Sequence, residues 1–336
     1  MPFDFFLGID IAKQTLDYAL LDQAGNLKLQ AQIPNTQKAV EQLMQQLDQR
    51  FGVKPVSTLI CLEHTGIYNN HLLEVFTRPV YCVWLESGRQ IRYSTGIQRA
   101  KTDSVDALNI ARYAHRHYPQ ARLWKPASPL IIRLKALTSL RHRLLLAANT
   151  LKQPLKEAES FMDKSILKSL EKASASSLKA LEKDLDAVNS QIETLIKNDP
   201  ELNRIFHLLT SIVGIGVVTA TGLILATHAF TDGKTAKQFA CYAGVAPFPY
   251  QSGSSIRGRT RVSPMADKRM KTLLHLSAMT AIRAKGELRD YYQRKVAEGK
   301  NKMAVLNAVR NKLIGRAYAV VSKNREYDKT YTYSLA

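Results

Sequence analysis

The sequence of 336 residues predicts a mixed α/β N-terminal domain, a helical connector with coiled-coil character, and a mostly α C-terminal domain. Three observations carry this. Three apolar segments crowd the first 35 residues, and helical and strand-like stretches then alternate, which is the layout of a mixed sheet. From Leu178 to Leu195 the apolar residues step by three and four. After Pro200 the chain reads as mostly helical, broken by two Gly-rich loops. With one domain per roughly 150 residues, such a length holds about two domains and a connector. The expected boundaries are 1–125, 126–200 and 201–336.

Phe5 to Ile9 is the first expected strand, Thr15 to Leu21 the second, and Asp22-Gln23-Ala24-Gly25-Asn26 a turn into the third, Leu27 to Ile33. Thr36 caps a helix over Gln37 to Phe51, whose Val40, Leu43, Leu47 and Phe51 share one face. Val56 to Leu62 and Pro79 to Leu85 are two more strands, separated by a helical stretch around His71 to Phe76. Ser128 to Gln153 is helical and Pro154 is expected to interrupt it. Leu178, Leu181, Leu185, Val188, Ile192 and Leu195 form a heptad seam, suited to a coiled-coil arm or hairpin or to a helix packed on its own domain.

Hydrophobic residues make up 45% and charged residues 23%, which excludes a disordered or fibrous chain. No window is long and apolar enough to span a membrane, and Met1 to Asp10 lacks the features of a signal peptide, so a cytoplasmic location is expected. Cys61, Cys82 and Cys241 are too scattered for a disulfide framework or zinc site and are read as buried thiols. The net charge of +20 is unevenly distributed: residues 1–100 balance, whereas residues 201–336 carry 22 basic and 8 acidic side chains. A one-sided excess of this kind favours nucleic acid over an anionic membrane as partner.

Asp10 ends the first apolar strand and Glu63 the fourth, while Asp103 and Asp106, three apart, share a face near the start of a helix. Clustered carboxylates repel one another and call for cations, and oxygen ligands suit Mg2+ or Mn2+. A pair of such ions about 4 Å apart clamps a phosphodiester during cleavage. Taken singly, these acids also suit a strand end, a surface position or favourable charge in a first helical turn.

The words Gly8-Ile9-Asp10-Ile11-Ala12-Lys13, Glu63-x-Thr65-Gly66-x-Tyr68 and Lys101-Thr102-Asp103-x-x-Asp106-Ala107 resemble the transposases of the insertion-sequence 110 family, which includes the pilin-inversion recombinases. The order of the acids resembles the DEDD set of RuvC-like nuclease domains. That resemblance implies an RNase H-like fold with its first acid on strand one and its second on strand four, and Asp10, Glu63, Asp103 and Asp106 as magnesium ligands.

In the last third, Leu209 to Ala226 has the pattern of a helix-hairpin-helix, whose Gly214 and Gly216 would open backbone N–H groups to a phosphate; a plain helix–helix turn has the same pattern. Phe239 to Pro247 then leads into Gln251-Ser252-Gly253-Ser254-Ser255-Ile256-Arg257-Gly258-Arg259-Thr260-Arg261. Small residues admit a phosphate, Arg257, Arg259 and Arg261 offer fork-shaped donors, and the hydroxyls offer a nucleophile. By composition alone the segment equally suits a flexible phosphate-binding loop. The resemblance implies that Ser252 is the nucleophile. It extends through Lys268 and Lys271 to the basic C-terminal stretch with Lys295, Lys300 and Lys302, with two departures: Ala266 stands where the family has Gly, and Lys271 where it has Arg.

The resemblance implies a DNA recombinase that moves its own insertion sequence through a phosphoserine intermediate. Its sites would be chosen by a structured guide or bridge RNA from the element. Ser252 lies far along the chain from the acids, beyond the heptad, so a site completed between subunits, and hence a homo-oligomer, dimer or tetramer, is expected. The rival readings are a metal-dependent nuclease or junction resolvase that uses water, and a non-catalytic nucleic-acid-binding protein.

Overall fold

The computed structural model describes residues 3–77, 80–96, 102–252 and 256–328, and divides the chain into two units, Met1–Pro126 and Ala127–Ala336. The sheet of the first unit contains β1 (Phe5–Ile11), β2 (Thr15–Asp22) and β3 (Leu27–Pro34) as an antiparallel meander. Asp22 shapes the second turn: its Oδ1 accepts from the backbone N–H groups of Ala24 and Asn26, and Gly25 takes the left-handed conformation. Helix α1 (Gln37–Phe51) starts where Thr36 accepts a hydrogen bond from Ala39 N and ends at Gly52. β4 (Thr58–Glu63), helix α2 (Asn70–Val75), β5 (Cys82–Glu86), α3 (Gly88–Thr95) and α4 (Asp103–His117) follow. The sheet order is β3-β2-β1-β4-β5, with β4 parallel to β1 and β5 parallel to β4. Each of the five expected strands has a counterpart, the last two starting later, at Thr58 and Cys82; α3 is an addition, and Pro79 lies outside the described residues.

Alternation along the strands gives the sheet two apolar faces. Leu7, Ile9, Leu16, Leu20, Ile60 and Leu62 pack with Val40, Leu43 and Leu47 of α1. Phe6, Ala19, Leu21, Leu59, Cys61 and Trp84 pack with Ala107, Ile110, Ala111 and Ala114 of α4. Contact with α4 is close because β1 has glycine at position 8: a Cβ there would lie 2.2 Å from Ala111 N and 2.5 Å from Ala107 O. Cys61 is buried, and burial pushes its thiol far above the usual range. Cys82 and Cys241 are only partly buried, a correction to the reading of all three as buried thiols.

The second unit opens with two long helices, α5 (Pro129–Ala158) and α6 (Lys164–Lys197). The Arg141–Asn189 and Lys152–Glu182 bonds mark them as an antiparallel hairpin. The six seam residues of α6 are all partly or fully buried, so the heptad spacing identified the packed face. Pro154 does not stop α5, a correction: it sits exposed inside the helix, which continues to Ala158. Next come α7 (Pro200–Thr210), α8 (Val217–Ala226), α9 (Ala236–Tyr242), the strands β6 (Pro247–Ser252) and β7 (Ile256–Val262), α10 (Lys268–Arg283), α11 (Glu287–Ala297) and α12 (Lys302–Ser322). Leu134 of α5 and Val188, Ile192 and Ile196 of α6 share one core with Leu208, Leu223, Phe239, Leu274 and Leu313. Among the described residues no helix is long and apolar enough to cross a membrane.

Candidate acid site and serine hairpin

Asp10 lies at the end of β1, on the face covered by α4, and among the described residues its half-buried carboxylate accepts from the Ile11 N–H, at 3.0 Å. Burial raises its pKa to about 6, and the Asp106, Asp103 and Glu63 carboxylates push it the same way against that hydrogen bond. These four expected acids therefore share one electrostatic neighbourhood. Among the described residues, none of Asp10, Glu63, Asp103 or Asp106 has an ion-pair partner. Nor, among the described residues, are any three His, Cys, Asp or Glu side chains placed so that they could together hold a metal ion. The group is a loose cluster of carboxylates, and hard oxygen donors of this kind fit a divalent ion that keeps several waters.

Local chemistry explains how each acid gets there. Thr102 caps α4 by accepting from Val105 N, which sets Asp103 and Asp106 in the first turn, and Gln30 of β3 donates to Ser104 O at 2.7 Å. Lys101 of the same motif lies outside the described residues. After Glu63 the chain turns through Thr65 and Gly66; Asn69, nearly fully buried, donates to Glu63 O and accepts from Thr65 N. Asn35 donates to Ala12 O and Tyr68 O, tying the β1–β2 turn to this one.

Two further acids were missed from sequence. Asp17 of β2 pairs directly with Asp10, and Glu86 of β5 pairs with Glu63. Alternation puts all four on the α4 side, so Asp17, Asp10, Glu63 and Glu86 form a row across four adjacent strands. Donors hold the two ends of the row. Asp17 accepts from Gln32 Nε2 at 2.8 Å, and Glu86 accepts from Tyr113 OH at 3.1 Å and Ser87 N at 2.6 Å. An Asp inside an otherwise buried strand was the signal for the first; a second strand-end Glu like Glu63 was the signal for the second.

In the second unit the segment read as a loop is a β-hairpin, a correction: β6 pairs antiparallel with β7, and Ser252 occupies the last rung before the turn, opposite Ile256. Residues Gly253, Ser254 and Ser255 lie outside the described residues. Arg257 pairs with Gln251, and Arg257, Arg259 and Arg261 take alternate positions along β7. At the base of the hairpin, Asn307 of α12 donates to Val245 O at 2.7 Å and Tyr242 OH donates to Asp267 Oδ2 at 2.7 Å. Asp267 also caps α10, which carries exposed Lys268 and partly buried Lys271. A Cβ on Gly244 would meet Ala266 Cβ at 2.3 Å, so alanine at 266 is matched by glycine at 244.

Gly214 and Gly216 sit in the turn between α7 and α8, and they differ. Gly214 has φ +97°, and a Cβ there would strike Ser277 O of α10 at 2.6 Å, so packing alone requires glycine. Gly216 is exposed at the start of α8 with nothing within 4 Å of a Cβ.

Two family models match the chain. One described as "Transposase", with a DEDD domain, covers residues 7–158, and one described as "Transposase IS116/IS110/IS902 family" covers residues 206–293. The pilin gene-inverting protein of Moraxella bovis is 30% identical over 96% of this chain and 98% of its own length. Its namesake in Moraxella lacunata is 29% identical over the same shares. An insertion element IS110 protein of Streptomyces coelicolor is 32% identical over 46% of this chain and 37% of its own. With a row of strand-borne acids in the first unit, a helical second unit and these matches along nearly the whole sequence, the chain belongs to the IS110 family of transposases, recombinases that act on DNA.

Proposed function

We propose that this transposase cuts and rejoins the DNA of an insertion sequence through a covalent phosphoserine on Ser252, with Asp10, Glu63, Asp103 and Asp106 holding Mg2+ or Mn2+. The observation that carries this reading is the set of four acids around half-buried Asp10, whose raised pKa reflects burial and three neighbouring carboxylates. The sheet order β3-β2-β1-β4-β5, with an acid on β1 and another on β4, supports an RNase H-like fold for the first unit.

Ser252 Oγ attacks the scissile phosphorus, an O–P bond to serine forms, the bond from phosphorus to the 3′ oxygen breaks, and that oxygen leaves as a hydroxyl after taking up a proton. A second 3′ hydroxyl then attacks the phosphoserine and returns the serine hydroxyl. The exchange conserves the number of phosphodiester bonds and needs no nucleotide cofactor, whereas attack by water would release the ends. When bound, the divalent ion would neutralise charge on the scissile phosphate. Arg257, Arg259, Arg261, Lys268 and Lys271 grip neighbouring phosphates, and the Gly214–Gly216 turn offers backbone N–H groups.

The acids belong to the first unit and Ser252 to the second, so the reaction requires both to meet on one linkage, within one chain or between copies in a dimer or tetramer. The α5–α6 hairpin supports assembly as a coiled coil, because Leu146, Phe161, Ile166 and Leu170 expose apolar surface toward its far end. The resemblance further supports guidance by an element-encoded bridge RNA, consistent with the basic excess of residues 201–336, and work in the cytoplasm.

Denaturing electrophoresis of the protein incubated with DNA carrying the element's junction tests the chemistry. Wild type is expected to leave a protein–DNA adduct that Ser252→Ala lacks, while Asp10→Asn is expected to lower strand cleavage by roughly a thousandfold. An adduct surviving in Ser252→Ala rejects the serine, and unchanged hydrolysis in that variant favours the water-using nuclease. No magnesium-dependent cleavage by wild type would favour the non-catalytic binder.

A further inference from the structure

Gly88 opens α3 immediately after Glu86 and Ser87, at the junction that flanks Glu63. Its backbone is ordinary, outside the left-handed region, so any L-residue would suit its conformation. Space is another matter. A Cβ on Gly88 would fall 1.9 Å from Glu63 Oε1, 2.3 Å from its Cδ and 2.7 Å from its Oε2. All three atoms of the carboxyl group lie where the smallest side chain would be.

The surrounding wall is fixed. Glu86 accepts from Ser87 N at 2.6 Å and from Tyr113 OH at 3.1 Å, which joins the start of α3 to β5 and α4. Tyr113 in turn is buried, with its ring 5.0 Å from that of Trp84. A side chain at 88 would therefore be accommodated by the flexible tip of Glu63 swinging away, with the junction staying in place. Gly8 is the opposite case: there the colliding atoms are helix backbone, and no side chain can yield.

We propose that Gly88 is a positioning residue of the acid site: the space left by its missing side chain holds the Glu63 carboxylate beside Asp10. The inference rests on the acid-site reading above and goes beyond it by assigning a residue with no donor atom of its own. Its signature is a substitution that costs placement of an acid and almost nothing in stability.

The test uses the full-length chain as wild type, Gly88→Ala, Glu63→Gln, Glu63→Asp and the Gly88→Ala/Glu63→Asp double variant. Mn2+ binding is followed by calorimetry and thermal unfolding in EDTA. Gly88→Ala is expected to melt within about 3 °C of wild type while binding Mn2+ about tenfold more weakly. Aspartate at 63 withdraws the carboxyl group by one methylene, so adding Gly88→Ala to Glu63→Asp is expected to weaken binding by less than about twofold, against about tenfold when Glu63 is present. Wild-type Mn2+ affinity in Gly88→Ala, with Glu63→Gln defective, overturns the positioning role. So does a melting temperature lowered by more than about 6 °C, which makes Gly88 a folding residue. Unchanged affinity in Glu63→Gln instead overturns the acid-site reading on which the inference stands.

Discussion

Asp10 holds its proton up to about pH 6, whereas an unperturbed aspartate loses it near 3.8. Between those values the folded chain keeps a proton that the unfolded chain has released, so stability falls as pH rises through that window and the full penalty applies above pH 6. Each pKa unit corresponds to about 1.4 kcal/mol, and solvent screening of the half-exposed group reduces the sum to about 1–2 kcal/mol. Asp10→Asn is predicted to be more stable than wild type by that amount at pH 7.5 in EDTA, with the gain shrinking toward zero near pH 4; urea unfolding at the two pH values measures it. Gly8→Ala has the opposite outcome. Its Cβ meets the backbone of α4 at 2.2 Å and 2.5 Å, so the helix must lift off β1, and a loss of about 3 kcal/mol or more is expected in the same assay. The four motif acids were legible because each sits in a short recognisable word. Asp17, Glu86 and Gly88 were not, because their importance comes from cross-strand register and from a junction that packs on a residue 25 positions earlier, neither of which local spacing encodes.

At the level of elements, the strands and helices that bury a regular face were readable, and those that bury none were not. β6 and β7 form a two-stranded ribbon in which Phe248 and Tyr250 are exposed, so no apolar alternation announces it. The eight-residue α3, with three polar or charged residues in its first five, was equally silent. Pro154 misled in the other direction. A proline removes one helical hydrogen bond and crowds the preceding turn, yet α5 runs through it, and packing against α6 outweighs the cost. Pro154→Ala is therefore predicted to stabilise the last turns of α5 by about 1–3 kcal/mol, seen as slower amide exchange from Thr150 to Ala158 with unchanged DNA cleavage.

For the whole molecule, charge is unevenly distributed. Residues 1–100 are neutral overall and hold the strand-borne acids, while residues 201–336 hold the basic excess. Neutralising Lys271 is predicted to weaken DNA binding and lower the salt slope of log affinity by roughly 0.9, one phosphate contact, whereas Lys295, already 2.7 Å from Glu298, should change the slope far less. Titrations at several salt concentrations distinguish them. Phe161, 92% exposed in the turn between α5 and α6, is the natural probe of assembly: Phe161→Glu is expected to shift the mass measured by light scattering toward the monomer with the fold intact.

The α5–α6 hairpin packs on the shared core through Leu134 and Leu144 of α5 and returns to it at Val188 of α6. About twenty residues of α5 beyond Thr138, at about 1.5 Å each, carry its tip some 30 Å outward. Toward the tip, where Leu146, Phe161, Ile166 and Leu170 are exposed, deleting one heptad from each arm would shorten this ruler by about 10 Å and leave its root unchanged. Insertion or deletion of whole heptads can thus reset the reach of the hairpin without rebuilding the core at its root.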